Sequence, residues 1–150
     1  MKTNKHTVLL VEDNPDDEEL TRLAFKECKF AYELVIVRDG SEALDYLFAS
    51  GKYSARDACD MPRLVLLDLK LPKLNGLEVL KRVRANASTR FLPVVVLTSS
   101  KEEQDLIDSY SLGANSYIQK PVDFNQFTDA VCQLGQYWLV LNEPVGTCCK

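Results

Sequence analysis

Short apolar runs recur along the chain, and the segments between them are long enough to hold one helix each. The runs do not alternate with polar residues and are rich in Val, Leu and Ile, which is typical of parallel strands covered on both faces. They predict five strands at about 7–12, 33–37, 64–68, 94–97 and 116–119. The intervening segments have helical apolar spacing, so we expect an α/β domain with a doubly wound parallel sheet.

Helix start signals support this alternation of strands and helices. Asn14 is followed by Pro15, a pair suited to the N-cap and first position of a helix. Asp123 is placed to open the last helix, which we expect to end near residue 141. The segment 100–103 has the Ser-x-x-Glu pattern of a capping box and predicts the start of the fourth helix.

Polar side chains stand where the predicted strands end. Glu12 and Asp13 follow the first strand, and Asp68 ends the third. Thr98 follows the fourth strand, and Lys120 follows the fifth. Because the carboxyl ends of parallel strands share one edge of the sheet, we expect these side chains to meet there. Three carboxylates need a cation and the lysine needs an anion, which a divalent metal with a phosphoryl group would satisfy.

The acids at this edge suit Mg²⁺, which prefers oxygen ligands and binds substrate phosphates in proteins. Asp13 and Asp68 are the natural direct ligands, and the longer Glu12 is placed to act through water. The backbone carbonyl of Lys70, two residues past Asp68, is a further candidate ligand.

Asp68 is the best candidate nucleophile, since a carboxylate can form an acyl phosphate. Lys120 would neutralise one phosphoryl oxygen, and Thr98 could donate its hydroxyl to another. Each residue alone has an ordinary explanation: Asp13 as a turn former, Thr98 as a strand-end threonine, Lys120 as a solvated charge. Their coincidence at one sheet edge favours a site.

Composition predicts one domain over residues 1–150, with its core at about 6–141 and a short tail at 142–150. The chain is 46% hydrophobic and 27% charged, which is ordinary for a globular protein. Its net charge of −4 does not favour nucleic acid as a partner. No apolar run approaches the ~20 residues that span a membrane. We therefore expect a cytoplasmic protein with no nucleic-acid or membrane partner.

Cysteine and histidine chemistry adds little to this picture. The five cysteines are odd in number and match no zinc pattern, so we expect reduced thiols; they are Cys28, Cys59, Cys132, Cys148 and Cys149. A redox role for the adjacent pair in the tail is the alternative. His6 is the only histidine and precedes the first strand, so this chain is not expected to be a histidine phosphodonor itself.

Four short motifs resemble the receiver domain of two-component response regulators over about residues 6–141. They are the acidic pair Glu12-Asp13, the segment 67–72 with Gly76, the strand end 97–99, and Lys120-Pro121. The resemblance implies a flavodoxin-like (βα)5 fold with strand order 2-1-3-4-5. It also implies a phosphorylation-dependent switch rather than an enzyme, with at most self-catalysed phosphorylation and dephosphorylation.

The same resemblance implies a role for each matched residue. Asp68 would be the phosphoacceptor, and Asp13, Asp68 and the Lys70 carbonyl would bind Mg²⁺. Thr98 and Lys120 would form the switch pair, with Tyr117 as a mobile aromatic. The Lys120–Pro121 peptide bond would be cis, although trans is favoured for most such bonds.

A narrower resemblance points to the stand-alone response regulators of cyanobacterial phytochromes. It rests on the connection 51–62, the segment 109–117 and an aromatic ending from Phe124 to 137–139. It implies a light-sensing, phytochrome-type histidine kinase as the phosphodonor. Phosphorylation would then move Thr98 and Tyr117 and reshape the fourth helix and the last two strands.

The last helix suggests a homodimer. Its inward stripe, at alternating spacings of three and four, is Phe124, Phe127, Val131, Leu134, Trp138 and Leu141. The segment 137–141 is apolar around the whole helix, and such a helix needs burial on every side. We expect a dimer surface on the fourth helix, fifth strand and last helix that includes Tyr110, Phe124, Tyr137, Trp138 and Leu139. Burial under Pro144 and Val145 is the alternative.

Other functions fit the pattern less well. A phosphohydrolase with an aspartyl nucleophile usually has two acids two residues apart after its first strand, whereas the nucleophile here ends the third. A flavin-binding module would not place carboxylates beside the phosphate. An adaptor module that works without phosphorylation is the other alternative.

Overall fold

The computed structural model describes residues 6–121 and 123–145. Five parallel strands form one sheet: β1 (His6–Val11), β2 (Tyr32–Val37), β3 (Leu64–Leu67), β4 (Val94–Thr98) and β5 (Ser116–Gln119). Five helices connect and follow them: α1 (Pro15–Lys26), α2 (Gly40–Phe48), α3 (Gly76–Ala85), α4 (Glu103–Ser111) and α5 (Phe124–Gly135). The strand order is β2-β1-β3-β4-β5, which confirms the expected flavodoxin-like topology.

The sheet separates two apolar cores. Leu9 and Val11 of β1 face one cluster, which contains the inward residues of α2 and α3. Val8 and Leu10 face the other cluster, which contains those of α1 and α5. Because both faces are covered, β3 and β4 are buried along their whole length. Within β3 and β4 the only polar side chain is that of Thr98, the last residue of β4, as the apolar runs predicted.

Most helix starts follow the sequence signals, but α4 does not. The Asn14 side chain accepts hydrogen bonds from two backbone N–H groups of α1, and Asp123 caps α5. The predicted capping box at 100–103 is wrong, because α4 begins at Glu103 with no side-chain cap. The Ser100 hydroxyl instead accepts from the Glu102 N–H at 3.2 Å and donates to Asp105 at 2.6 Å.

The last helix changes its geometry halfway. After Gly135 the chain continues as a π-helical segment, Gln136–Leu141. The wider turn makes Leu139, five residues after the inward Leu134, the next core residue, with only 1% of its surface exposed. Leu141, predicted to face the core, is 65% exposed instead. The change occurs where the Phe30 ring lies against Gly135 so closely that no Cβ would fit.

A disulfide joins the two helices that cover the same face of the sheet. Cys28, just past the end of α1, is bonded to Cys132 of α5, with Cα atoms 5.3 Å apart. The expectation of reduced thiols is therefore wrong for this pair, because α1 and α5 pack side by side and bring the two cysteines together. The adjacent cysteines at 148 and 149 lie outside the described residues.

Arg84 of α3 ties together the amino ends of the last two strands. Its guanidinium donates to the carbonyls of Gly113 and Leu92 at 2.9 and 2.8 Å, and to the Asn115 side chain at 2.9 Å. The Asn115 side chain also accepts from the Val94 backbone N–H at 2.8 Å. Burial lowers the pKa of Arg84 from its usual value. The guanidinium thus links α3 to the starts of β4 and β5.

Within the described part of the chain, none of the helices combines the length and apolar character that crossing a bilayer requires.

Candidate functional site

Strand register sets the positions of the acids at the carboxyl edge of the sheet. Val11 of β1 is paired with Leu67 of β3, and the next residues are Glu12 and Asp68. The Asp68 backbone N–H donates to the Val11 carbonyl at 3.1 Å, which continues the ladder by one step. The two acids therefore emerge at the same level from adjacent strands.

Three carboxylates gather at this edge. Glu12, Asp13 and Asp68 each offer an oxygen, and these oxygens all lie within 4.8 Å of one another. Glu12 is buried, Asp68 is half-buried and Asp13 is exposed, so the cluster opens to solvent on one side. Such a set of hard oxygen donors fits a divalent cation of the Mg²⁺ type. Lys70 is exposed in the following loop, and its carbonyl stays a predicted ligand.

The loop after Asp68 is held against the strand end. The Gly76 N–H donates to the Leu69 carbonyl at 2.8 Å. A Cβ on Gly76 would collide with the Asp68 carbonyl, so this close approach requires glycine. One oxygen of the Asp68 carboxylate, Oδ1, accepts from the Leu69 N–H at 2.7 Å. The loop thus fixes the Asp68 carboxylate, and Oδ2 is left facing Lys120.

Lys120 reaches the same cluster from the end of β5. Its ammonium donates to Glu12 at 2.7 Å and to Asp17 of α1 at 2.9 Å. It lies 3.8 Å from Asp68 Oδ2. The structure therefore brings Glu12, Asp68 and Lys120 together, as the strand ends predicted. Asp17 was missed, since it looked like one of several acids in the first helical turn.

Burial and charge shift two pKa values in this cluster. Burial raises the pKa of Glu12 to about 7, although its hydrogen bond from Lys120 acts in the opposite direction. Burial would lower the pKa of Lys120, but the hydrogen-bonded carboxylates of Glu12 and Asp17 outweigh it and raise that pKa. Lys120 therefore keeps its positive charge at neutral pH beside the acids.

Thr98 and Tyr117 are connected through Ser100. Thr98 is buried at the carboxyl end of β4, and its hydroxyl accepts from the Ser100 N–H at 3.2 Å. The half-buried Tyr117 of β5 places its hydroxyl 3.5 Å from the Ser100 carbonyl. Over residues 6–121 and 123–145, no hydrogen bond joins Thr98 to Asp68. Thr98 and Tyr117 thus each contact the backbone of Ser100 in this state.

Two predictions about the site are wrong. No cis peptide bond occurs in the described ranges, so the cis isomer expected for Lys120–Pro121 is not present. The trans isomer is the one that most X–Pro bonds favour. Leu139 does not belong to the predicted dimer surface, because the π-helical turn buries it in the core.

The rest of the predicted surface is accessible. Tyr110 and Tyr137 are each 51% exposed and Phe124 is 39% exposed, whereas Trp138 packs partly against the core. Pro144 and Val145 do not cover them, because these two residues line a cavity elsewhere, beside residues 61–63 and 86–93.

Comparisons with known proteins identify the relatives of this fold and site. A model of the response regulator receiver domain family matches residues 8–132. Response regulator Rcp1 of Synechocystis sp. is 39% identical over 132 residues, which cover 88% of each protein. A solved structure of Rcp1 is its Mn²⁺-bound form; it has a TM-score of 0.85 and 36% identity, and covers 94% of this chain and 99% of that one.

Two further solved structures are similar over most of their length. The phosphorylated cyanobacterial phytochrome response regulator RcpA has a TM-score of 0.86 at 37% identity, covering 93% of this chain and 98% of its own. The bacteriophytochrome response regulator AtBRR is 55% identical, with a TM-score of 0.74, covering 93% of this chain and 99% of its own.

Proposed function

Because the chain belongs to the response regulator receiver domain family, we propose that it is a signalling switch that accepts a phosphoryl group on Asp68. The observation that carries this proposal is the meeting of an acid cluster and a buried ammonium at one sheet edge. The Lys120 nitrogen lies 3.8 Å from Asp68 Oδ2 and 2.7 Å from Glu12.

Glu12, Asp13, Asp68 and the Lys70 carbonyl would hold the divalent cation, which we take to be Mg²⁺. When bound, the cation neutralises charge on the phosphoryl oxygens. The Mn²⁺-bound Rcp1 structure supports a divalent ion in this family. The fit of this chain rests on its own three clustered carboxylates.

Phosphoryl transfer then needs positioning more than acid–base chemistry. An Asp68 oxygen attacks the phosphorus of a phosphohistidine, the P–N bond breaks, and the donor imidazole leaves with the electron pair and takes up a proton. The Lys120 ammonium pairs with one phosphoryl oxygen. Thr98 donates its hydroxyl to another, which requires it to move relative to Ser100.

This movement supplies the switch. In the present state the Thr98 hydroxyl accepts from the Ser100 N–H, and Tyr117 contacts the Ser100 carbonyl. Drawing Thr98 toward a phosphoryl group breaks its contact with the Ser100 N–H and frees Tyr117 to reorient. Shifting a two-state equilibrium from 1:99 to 99:1 takes ~5.5 kcal/mol. A few charge-assisted hydrogen bonds of ~1.5–3 kcal/mol each can supply this.

The output surface that we propose comprises α4, β5 and α5. On α4, Ile107 and Tyr110 are 49% and 51% exposed. On the last helical segments, Phe124 and Tyr137 are 39% and 51% exposed. Apolar groups held in water on neighbouring elements favour association, and we propose a homodimer through this surface.

A histidine kinase is the expected phosphodonor, and we propose a phytochrome-type kinase, as in cyanobacteria. The support is the similarity to RcpA and AtBRR, both of which are described as phytochrome or bacteriophytochrome response regulators. We further propose that residues 1–150 act as one cytoplasmic receiver domain that signals by binding proteins rather than nucleic acid.

Incubation with Mg²⁺ and acetyl phosphate tests the central proposal by intact mass. One phosphoryl group per chain, labile to hydroxylamine and absent in Asp68→Asn, is the expected result. Asp129→Asn, which changes an exposed aspartate of α5, is the matched control and should be phosphorylated normally. Phosphorylation that persists in Asp68→Asn would contradict the assignment. Steady hydrolysis of unrelated phosphate esters would favour the phosphohydrolase.

Light scattering tests the proposed dimer. Tyr137→Glu should give a folded monomer, because it places a charge on the exposed apolar surface. Phe91→Glu alters an aromatic that is 58% exposed outside this surface, so it should keep the mass of the unaltered protein. Equal masses for all three proteins would rule out this interface.

A further inference from the structure

The ammonium of Lys120 is shared among three carboxylates in an unequal way. The shorter contacts are to Glu12 at 2.7 Å and to Asp17 at 2.9 Å. The nitrogen lies 3.8 Å from Asp68, beyond hydrogen-bond distance. The lysine side chain is only 11% exposed, so its partners rather than water satisfy its charge. In this state, Lys120 is thus bonded away from the proposed phosphoacceptor.

The backbone of Asp17 is fixed in the first turn of α1, from which its side chain makes this contact. Its N–H donates to the Asn14 side chain at 3.1 Å, and its carbonyl accepts from the Thr21 hydroxyl at 2.8 Å. The side chain is 34% exposed and points from the first turn of α1 toward the end of β5. Asp16, one residue earlier, is exposed and makes no side-chain contact with Lys120.

An ordinary role for Asp17 is to complement the positive end of the α1 dipole. Asp16 and Glu18 are in the same turn and serve that purpose equally. Only Asp17 of these three hydrogen-bonds to a lysine more than 100 residues away in sequence. The dipole therefore does not account for its contact with Lys120.

We propose that Asp17 is a positioning residue that restrains Lys120 from Asp68 in the unphosphorylated state; this inference rests on the proposed function. When a phosphoryl group arrives on Asp68, Lys120 exchanges its bond to Asp17 for one to a phosphoryl oxygen. Asp17 competes with the phosphoryl group for the same ammonium, so it slows phosphorylation and weakens the lysine's hold on the product.

The test compares phosphorylation rates of Asp17→Asn and the unaltered chain with acetyl phosphate at saturating Mg²⁺. Asparagine removes the competing charge, so the rate should rise about five-fold, which corresponds to ~1 kcal/mol in the barrier. Asp17→Glu keeps a carboxylate within reach of the ammonium and should restore the original rate. Asp16→Asn makes the same charge change in the same turn and should leave the rate unchanged.

A double-mutant cycle provides a second readout that needs no phosphoryl donor. Asp17→Asn and Lys120→Met are made singly and together, and urea unfolding is measured in each. The two changes should not be additive, because each removes the same ion pair. Asp16→Asn with Lys120→Met should be additive.

The outcomes distinguish failure of the restraint by Asp17 from failure of the proposed phosphorylation of Asp68. If no variant gains a phosphoryl group, the proposed function fails and this inference fails with it. If the unaltered chain is phosphorylated on Asp68 but Asp17→Asn is no faster than Asp16→Asn, only the restraint by Asp17 is overturned. Additive effects in the unfolding cycle would also overturn it.

Discussion

Removal of the bond between Cys28 and Cys132 should lower the stability of the fold substantially. The two cysteines are 104 residues apart, so the bond closes most of the chain into a loop. Constraining a loop of about 100 residues is worth up to ~4.7 kcal/mol in the chain-entropy model, and ~2–4 kcal/mol is typical. Single domains are stable by only ~5–15 kcal/mol. The loss would therefore be a large share of the total.

Urea unfolding of Cys28→Ser, Cys132→Ser and the double variant measures this loss. With a slope of about 2 kcal/mol per M, a loss of 2–4 kcal/mol lowers the midpoint by ~1–2 M. Each single variant should lose nearly as much as the double variant, because all three lack the same bond. Dithiothreitol should lower the midpoint of the unaltered chain by more than that of the double variant.

Two results would refute this reasoning. One is a free energy of unfolding of the double variant that differs from the original by no more than the ~10–15% error of the extrapolation. The other is non-reducing peptide mapping that recovers Cys28 and Cys132 in separate peptides.

Three further predictions concern other parts of the fold. Burial and the charge of Arg63 lower the pKa of His6 from 6.5. The neutral imidazole therefore stabilises the fold above pH 6.5, and this contribution is lost as the pH falls through the native pKa. NMR titration of this single histidine should show the low value, and Arg63→Gln should raise it; a native pKa at or above 6.5 contradicts this. Gly76→Ala should cost ~1–3 kcal/mol in urea unfolding, because its Cβ meets the Asp68 carbonyl; an unchanged midpoint would show that the loop can yield. Burial and a hydrogen bond to Glu42 raise the pKa of Tyr53 to about 12. Glu42→Gln should therefore lower the Tyr53 pKa measurably in a ring-carbon NMR titration, and an unchanged pKa would exclude that bond.

The sequence predicted the sheet and its polar edge because both follow from local rules. Short unbroken apolar runs rich in β-branched residues are typical of strands that are covered on two faces, and the first polar residue after such a run lies at the sheet edge. The prediction that Glu12, Asp68 and Lys120 lie together therefore required no knowledge of side-chain direction. The parallel register places Glu12 and Asp68 at the same level, since the preceding residues, Val11 and Leu67, are paired.

The features that sequence reasoning missed depend on packing between distant segments. Asp17 matters because the Lys120 side chain lies across the start of α1, which spacing along the chain does not show. Leu139 is buried because the helix widens after Gly135, where the Phe30 ring leaves no room for a side chain. An ideal 3.6-residue period cannot anticipate such a change.

The guanidinium of Arg84 anchors one end of the last two strands of the sheet. It links the beginnings of β4 and β5 to α3, while Thr98 and Lys120 lie at the opposite ends of the same two strands. We expect a displacement that starts at those ends to be largest there and smallest at the anchored beginnings of the strands. Arg84→Lys should loosen this anchorage, because the single ammonium of lysine cannot make the several directed hydrogen bonds of the guanidinium.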